Sequence, residues 1–570
     1  MATLRSLTVA SILLALGASG CVRQSAKFVA AGDHRTLRKR DEGTPASSPD
    51  KTPLLVIAFD GIGRDLLYDM LRKGELPNLA KLLGGIENGG KLPHAHLDES
   101  MLSTLPSSTM AAWATTFTGV GPAEHGITGN EYFVREKREF ACPAPVTFSD
   151  IAPTLEIYTD GLLNELSASP SVYERMREKD PNALVWVALQ HFYRGADKLM
   201  LAKRAVLAKA FEGFLEDQVK KVADDKESRR SYADLDEAVI DVVTSHLDEE
   251  TIPDVLTVYL TGTDLYAHIA EEGPDVARKT YLREVVDPAL AKLLAKLEKR
   301  KALENRWVMV IADHGHTQVV KDEAHALAMG DTDDPPAVLR RIGFRVRPFT
   351  RKVSEKHEFS SVLAYGGAMA YVYLADRSKC PGEKDTCDWT LPPRYEEDVL
   401  AAAEAFYKNN EDGSIVPAIR GALDMVLTRR PKPYPQVDAP FEVYVGGGKT
   451  VPIPKYLEEH PHPTYVAFDA RLRDLAVGVR GERAGDILLL AHNGDRDKPE
   501  ERYYFAAPYR SWHGSPSKQD SEIPLIVAMP DARSAAIAAW VKNILGDRPY
   551  QQKVTDIMLK LRNGEGSRLR

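Results

Sequence analysis

The 570-residue chain holds only four cysteines, and none of them forms a CxxC pair or a zinc-ribbon spacing. This spacing argues against a cysteine-ligated metal site and leaves histidine and carboxylate to hold any ion. An excess of basic charge is also missing: 74 Lys and Arg stand against 82 Asp and Glu. The net charge of −8 argues against nonspecific affinity for nucleic acid, and no nucleic-acid polymer is expected as a partner. The apolar stretch Leu7 to Leu16 is too short to span a bilayer as a helix, and internal repeats are absent. What remains is a chain of ordinary globular composition, 44% hydrophobic and 27% charged, long enough for about three units or one large domain with insertions.

Met1 to Arg5 is a short positive region ahead of the Leu7 to Leu16 stretch, so residues 1–20 read as a secretory signal. It ends in Ala18-Ser19-Gly20-Cys21, which resembles the lipobox of bacterial lipoproteins. That resemblance implies cleavage before Cys21, lipidation of its thiol and attachment to a membrane. Because Val22 and not aspartate follows, it further implies the outer membrane, with the protein facing the periplasm or the cell surface. An ordinary signal peptide with a chance cysteine is the alternative. Residues 21–52 read as a flexible tether with a basic cluster, His34 to Arg40, that is either solvated or set against anionic headgroups. In an exported chain Cys380 and Cys387 are spaced to close a short disulfide loop, leaving Cys142 unpaired.

The runs Leu54 to Phe59, Ala183 to Leu189, Val255 to Leu260, Trp307 to Ala312 and Ile523 to Ala528 are rich in Val, Ile and Leu and do not alternate with polar residues. Helix-like segments at 198–222, 234–247 and 280–299 separate them. This is the pattern of strands buried on both faces, and it predicts an α/β fold with a mainly parallel central sheet flanked by helices. Short strand candidates, Ala368 to Ala375, Leu475 to Arg480 and Ile487 to Leu490, lie among Pro- and Gly-rich turns. They indicate an inserted smaller α+β subdomain at 341–485, between a first part of the core at 53–340 and its completion with C-terminal helices at 486–570.

Three of these runs deliver an aspartate: Asp60 directly after the first, Asp264 shortly after Leu260, and Asp313 directly after Ala312. Ligands of parallel sheets gather at the carboxyl edge of the strands, where three such carboxylates can converge, and convergent carboxylates need a cation between them. His314 follows Asp313, and His268 lies four residues after Asp264, on the same face if the chain there is helical. A helix cap or turn residue is the ordinary reading of each aspartate taken singly. The stretch Pro106 to Gly119 adds a hydroxyl cluster ahead of a helix-like run, where a nucleophile would meet the free N–H groups that favour phosphate. Thr104, Ser107, Ser108 and Thr109 are candidates there, with simple N-capping as the bland alternative.

The ordered set Asp60-Gly61, Thr109, Thr118-Gly119, His125-Gly126-Ile127, Asn130, Asp264 through His268, Asp313-His314-Gly315 and His513-Gly514 resembles the alkaline phosphatase superfamily. Its nucleotide pyrophosphatase/phosphodiesterase branch is the nearest match, in order from about residue 52 to 530. The resemblance implies two divalent metal ions, with zinc the best fit to the mixed ligands. One would be held by Asp60, Asp313, His314 and the Thr109 oxygen, the other by Asp264, His268 and His513. It further implies that Thr109 is the nucleophile and becomes phosphorylated, and that Asn130 and the Thr109 N–H bind phosphoryl oxygens. In this pattern His125 is structural and His316 is extra.

Neither Cys142-Pro143-Ala144-Pro145 nor Cys380-Pro381-Gly382 completes the Cys-x-Pro-x-Arg motif of the sulfatases in the same superfamily. Met110 stands where nucleotide-cleaving members place an aromatic residue, which puts a nucleotide substrate in doubt. The expected function is metal-dependent hydrolysis of a small phosphate ester, a phosphodiester first, through a phosphothreonine. A phosphomonoesterase on the same site is the alternative, an inactive lipid-anchored scaffold a remote one, and no protein partner is inferred.

Overall fold

The computed structural model describes residues 32–41, 43, 45–146, 152–202, 206, 225–327, 334–353, 358–432 and 439–569. Its centre is an eight-stranded sheet in the order His34–Thr36, Lys198–Met200, Val185–Ala188, Val255–Leu260, Leu54–Phe59, Trp307–Ala312, Leu525–Ala528, Ala95–Asp98. The five strands from Lys198–Met200 to Trp307–Ala312 are mutually parallel. Every residue of the Leu54, Val255 and Trp307 strands is buried, as expected when helices cover both faces. Leu525–Ala528 joins the sheet antiparallel to both of its neighbours.

A second sheet of six antiparallel strands lies beside the first: Ser361–Gly366, Met369–Leu374, Ile487–Ala491, Leu423–Thr428, Glu442–Tyr444 and Thr450–Pro452. Its residues sort by the two-residue period of a strand. Met369, Tyr371 and Tyr373 join one apolar cluster with Phe133 and Trp389, whereas Ala370, Val372 and Leu374 join another with Phe406 and Val338. This is the smaller α+β unit expected from the sequence.

Four details differ from the sequence reading. Ile487–Ala491 is a central strand of the second sheet, paired with Met369–Val372 and with Leu423–Thr428, so that unit runs past residue 485. Leu475 to Arg480 is not a strand: Phe468–Ala476 is a helix whose Leu472, Leu475 and Ala476 share a buried face. Of the helix-like segment 198–222, Lys198–Met200 is a parallel strand, and most of the remainder lies outside the described residues. The segment read as a tether is held against the core from Asp33 onward. His34–Thr36 pairs antiparallel with Lys198–Met200, and Arg35 and Arg40 donate to the carbonyls of Tyr158 and Asn182. Cations of the basic cluster therefore meet backbone oxygens of this chain. Cys380 and Cys387 form a disulfide, and Cys142 is buried and outside it. Residues 1–31, including Cys21, lie outside the described residues, among which no helix is long and apolar enough to cross a membrane.

Candidate active site

Sheet register brings the first ligand set together. Phe59 is level with Leu260 on one side and with Ala312 on the other, so Asp60 and Asp313 leave adjacent strands at the same height. Gly61 N–H and His314 N–H both donate to Asp313 Oδ1, at 3.0 and 2.9 Å, and the Tyr259 hydroxyl donates to Asp60 Oδ2. The other two oxygens, Asp60 Oδ1 and Asp313 Oδ2, are buried and have no hydrogen-bond partner. His314 Nε2 stands 3.5 Å from the first and 3.4 Å from the second, and Thr109 Oγ1 lies 3.2 Å from the same nitrogen. Ligand atoms bonded at about 2.1 Å to a tetrahedral ion are about 3.4 Å apart. This spacing and the two orphaned oxygens fit a divalent cation.

The second set stands on the helix Gly262–Ile269, which starts just past the Val255–Leu260 strand. Asp236 caps that helix, accepting from Thr261 N–H, Gly262 N–H and the Tyr281 hydroxyl, each at 3.0 Å. Only glycine fits at 262, because a Cβ would collide with the Tyr281 hydroxyl and the Asp236 carboxylate. One turn of helix carries Asp264 and His268 on one face, with His268 Nε2 at 3.5 Å from Asp264 Oδ2. His513 completes the set from a distant segment. The short ladder pairing Thr317 with Trp512 draws it to the edge just beyond His314, and its Nε2 is 3.9 Å from Asp264 Oδ1.

All three ligand histidines are oriented alike. His268 Nδ1 meets Ser511 O at 2.7 Å, His314 Nδ1 meets Gly315 O at 2.9 Å and His513 Nδ1 meets Ser107 O at 3.0 Å. A carbonyl only accepts, so each Nδ1 carries the proton and each Nε2 offers its lone pair to the centre.

The electrostatics also call for a cation. Burial, reinforced by repulsion from Asp313 and Asp264, pushes the Asp60 carboxyl well above its usual range, and burial raises Asp313 as well. Burial would raise Asp264 too, but His268 and His316 beside it hold it well below. Three buried carboxylates with histidines but no Lys or Arg among the described residues in contact with them are costly unless an ion lies between them.

Thr109 opens the helix Thr109–Thr118, with its side chain at the centre. Among the rival hydroxyls, Ser107 Oγ is engaged with Thr104 O, Ser515 O and Arg471, and Ser108 Oγ is buried without a partner. Asn130 Oδ1 accepts from Met110 N–H at 3.1 Å, which leaves the Asn130 amide nitrogen free to donate toward the cavity it lines. His125 is fully buried and pushed down to about 3 by desolvation, and it bridges Ile127 N–H and Thr115 Oγ1. It stands apart from both ligand sets.

The residue set aside by the sequence reading and brought into the centre by the fold is His316. Its Nε2 lies 2.7 Å from Asp264 Oδ1, its Nδ1 3.1 Å from Ser511 Oγ, and with Asp264 and His314 it forms a third close group of potential ligands. The alternation His314-Gly315-His316 was the available signal, since residues two apart in an extended segment share a face.

Residues 54–360 match the family model described as type I phosphodiesterase / nucleotide pyrophosphatase. Over 265 residues, 46% of the chain, the sequence is 24% identical to an ectonucleotide pyrophosphatase/phosphodiesterase of Caenorhabditis elegans. That match spans 26% of the worm protein, so the chain covers about a quarter of this curated relative's length. Among solved structures, the chain is similar to an inactive variant of murine ectonucleotide pyrophosphatase/phosphodiesterase 5 in complex with AMP. The identity is 12%, over 90% of this chain and 95% of that one, with a TM-score of 0.47. A phosphonoacetate hydrolase of Sinorhizobium meliloti in complex with phosphonoformate gives 15% identity over 90% and 96%, with a TM-score of 0.43.

Proposed function

The chain belongs to the type I phosphodiesterase / nucleotide pyrophosphatase family of the alkaline phosphatase superfamily, and on that basis we propose that it hydrolyses phosphodiesters at this centre, with Thr109 as nucleophile and two bound divalent ions. One observation carries the reading: two groups, Asp60–Asp313–His314 and Asp264–His268–His513, each have ligand atoms within 4.8 Å of one another, and Thr109 Oγ1 sits 3.2 Å from His314. Two Asp/His sets suit zinc. When bound, the ions would supply Lewis acidity toward the phosphoryl and leaving oxygens and offset the charge of the three aspartates.

The chain's own groups account for the rest. Thr109 Oγ1 stands at a helix N-terminus, where backbone N–H groups favour the charge of a phosphoryl group. Its hydroxyl oxygen forms the new P–O bond as the ester's alcohol leaves, and hydrolysis of the resulting phosphothreonine returns the free hydroxyl and releases the monoester. The Asn130 amide and the Thr109 N–H donate to the non-bridging oxygens. Asp60, Asp313 and His314 are buried, whereas Thr109 lines the cavity through which an ester reaches it.

The test is hydrolysis of bis(p-nitrophenyl) phosphate and p-nitrophenyl phosphate by zinc-loaded and chelated protein. Diester turnover that requires the metal and exceeds monoester turnover is expected. Failure of the loaded protein on both esters would refute the enzymatic reading.

We also propose export and lipid anchoring at Cys21, supported by the Ala18-Ser19-Gly20-Cys21 sequence. Membrane fractionation of the Cys21→Ser variant tests it, a soluble variant being the expected result.

A further inference from the structure

The centre opens into a cavity of about 180 Å³. Beyond the ligand residues and Asn130, its walls include Met110, Tyr158, Leu235, Leu265, Tyr509 and Trp512. Among the described lining residues there is no Lys, Arg or Glu, and the two carboxylates present, Asp60 and Asp264, belong to the ligand sets. His191 also faces this space, and desolvation pushes its imidazole down to about 3, so it is uncharged. Several polar tips on the wall are already engaged. The Tyr158 hydroxyl donates to Leu189 O at 3.0 Å, that of Tyr259 to Asp60, and the Trp512 indole N–H to Ala507 O at 3.3 Å. The rings and methyl groups are what these residues present.

A diester with phosphorus at Thr109 has one organic group to place here. Nucleotides need partners for further phosphates and for the polar edges of a base, and the described residues of this wall supply no Lys or Arg for the former. Removing such groups from water without partners weakens binding. Aromatic walls also attract quaternary ammonium ions. Here, however, the carboxylates that would reinforce such attraction face the ion sites, and an ammonium group would share the cavity with those cations. An uncharged ring or short branched chain gains from burial without either penalty. The volume is on the scale of the roughly 150 Å³ engineered cavity that takes up benzene.

We propose that this cavity selects a compact, uncharged, apolar ester group, so that the preferred substrates are aryl or alkyl phosphodiesters and not nucleotides or choline esters. The proposal rests on the phosphodiesterase reading above and names its substrate class.

Four p-nitrophenyl diesters with a common leaving group test it on the zinc-loaded full chain: phenyl p-nitrophenyl phosphate, thymidine 5′-p-nitrophenyl phosphate, p-nitrophenyl phosphorylcholine and methyl p-nitrophenyl phosphate. The phenyl ester is expected to show kcat/KM at least tenfold above the thymidine and choline esters. Leu235→Asn and, at a second, half-buried lining residue, Val146→Asn should each cut the phenyl ester at least fivefold and the methyl ester less than twofold. Equal or better use of the thymidine or choline ester, or equal loss on phenyl and methyl esters in both variants, would overturn the proposal while leaving the phosphodiesterase reading intact. If no ester is cleaved, that reading fails by itself, and calorimetry on the same protein still decides the cavity. Phenylphosphonate binding at least tenfold tighter than methylphosphonate supports an apolar site, and equal affinity overturns it.

Discussion

His314 and His513, 199 positions apart in the chain, stack face to face with ring centroids 3.6 Å apart and planes inclined by 17°. They stand in different ligand sets, so the stack brings the two sets close together. A separation of about 4 Å between ions is what clamping the attacking and leaving oxygens of one phosphoryl group requires.

Because His513 serves only the set with Asp264 and His268, His513→Ala should lower bound zinc from two ions per chain to about one, as counted by elemental analysis after dialysis. His513→Ala removes the ring stacked on His314 but leaves the bonds that orient the first set, Asp313 to the Gly61 and His314 amides and His314 Nδ1 to Gly315 O. Loss of both ions would show that the two sets bind as one unit.

Tyr259 is not itself a ligand but donates its hydroxyl to Asp60 Oδ2, which leaves Oδ1 for the ion site. Tyr259→Phe should weaken zinc at that set by about 10- to 100-fold, the usual effect of losing a partner behind a ligand. Competition with a chromogenic chelator measures it, and circular dichroism should show the fold unchanged.

Zinc affinity should rise with pH. In the metal-free protein His268, although burial opposes it, is raised above its ordinary value by Asp264, and Asp60 is raised by burial and by Asp313. Raised groups hold protons more tightly, and each proton must leave before an ion binds. Affinity should therefore fall as the pH drops through and just above the ordinary imidazole value of about 6.5. Proton release on zinc addition, measured in weak buffer, checks the sign. Affinity that is flat between pH 8 and pH 6 would contradict it.

Asp236 was invisible as a site residue because nothing in its sequence neighbourhood bears chemistry, yet it caps the helix that presents Asp264 and His268. Burial pushes its carboxyl up to about 7. Its folded value lies above the unfolded one, so its protonated form favours folding at low pH, and that contribution is lost as pH rises through about 7. Asp236→Ala removes the cap at a cost of about 1–2 kcal/mol, which urea denaturation near neutral pH should detect.

The parts of the centre most legible in the sequence were those set by local rules. Asp60 and Asp313 end apolar runs, and parallel strands deliver such residues to one edge. Asp264 and His268 share a helical face by spacing alone. His513 could be placed only by family resemblance, because a two-residue ladder between segments nearly 200 positions apart brings it in. The edge strand His34–Thr36 was missed for the same reason: its pairing with Lys198–Met200 depends on backbone groups and leaves no side-chain pattern. Leu475 to Arg480 differs because Leu475, Ala476, Val477 and Val479 fit a strand run, whereas Leu475 and Ala476 close a helix that begins at Phe468 and Val477 and Val479 lie past its end.

The central claim is that Thr109 attacks phosphorus at a centre whose six Asp and His ligands hold the ions without it. Thr109→Ala removes one oxygen and leaves Asp60, Asp313, His314, Asp264, His268 and His513 in place. The decisive measurement is diester turnover together with zinc content in that variant. The account predicts two ions per chain, turnover at least a thousandfold below the parent, and no phosphothreonine in acid-quenched protein, where the parent shows it at residue 109. Parent-like turnover, or a phosphorylated Ser107 or Ser108 in the parent, would contradict it.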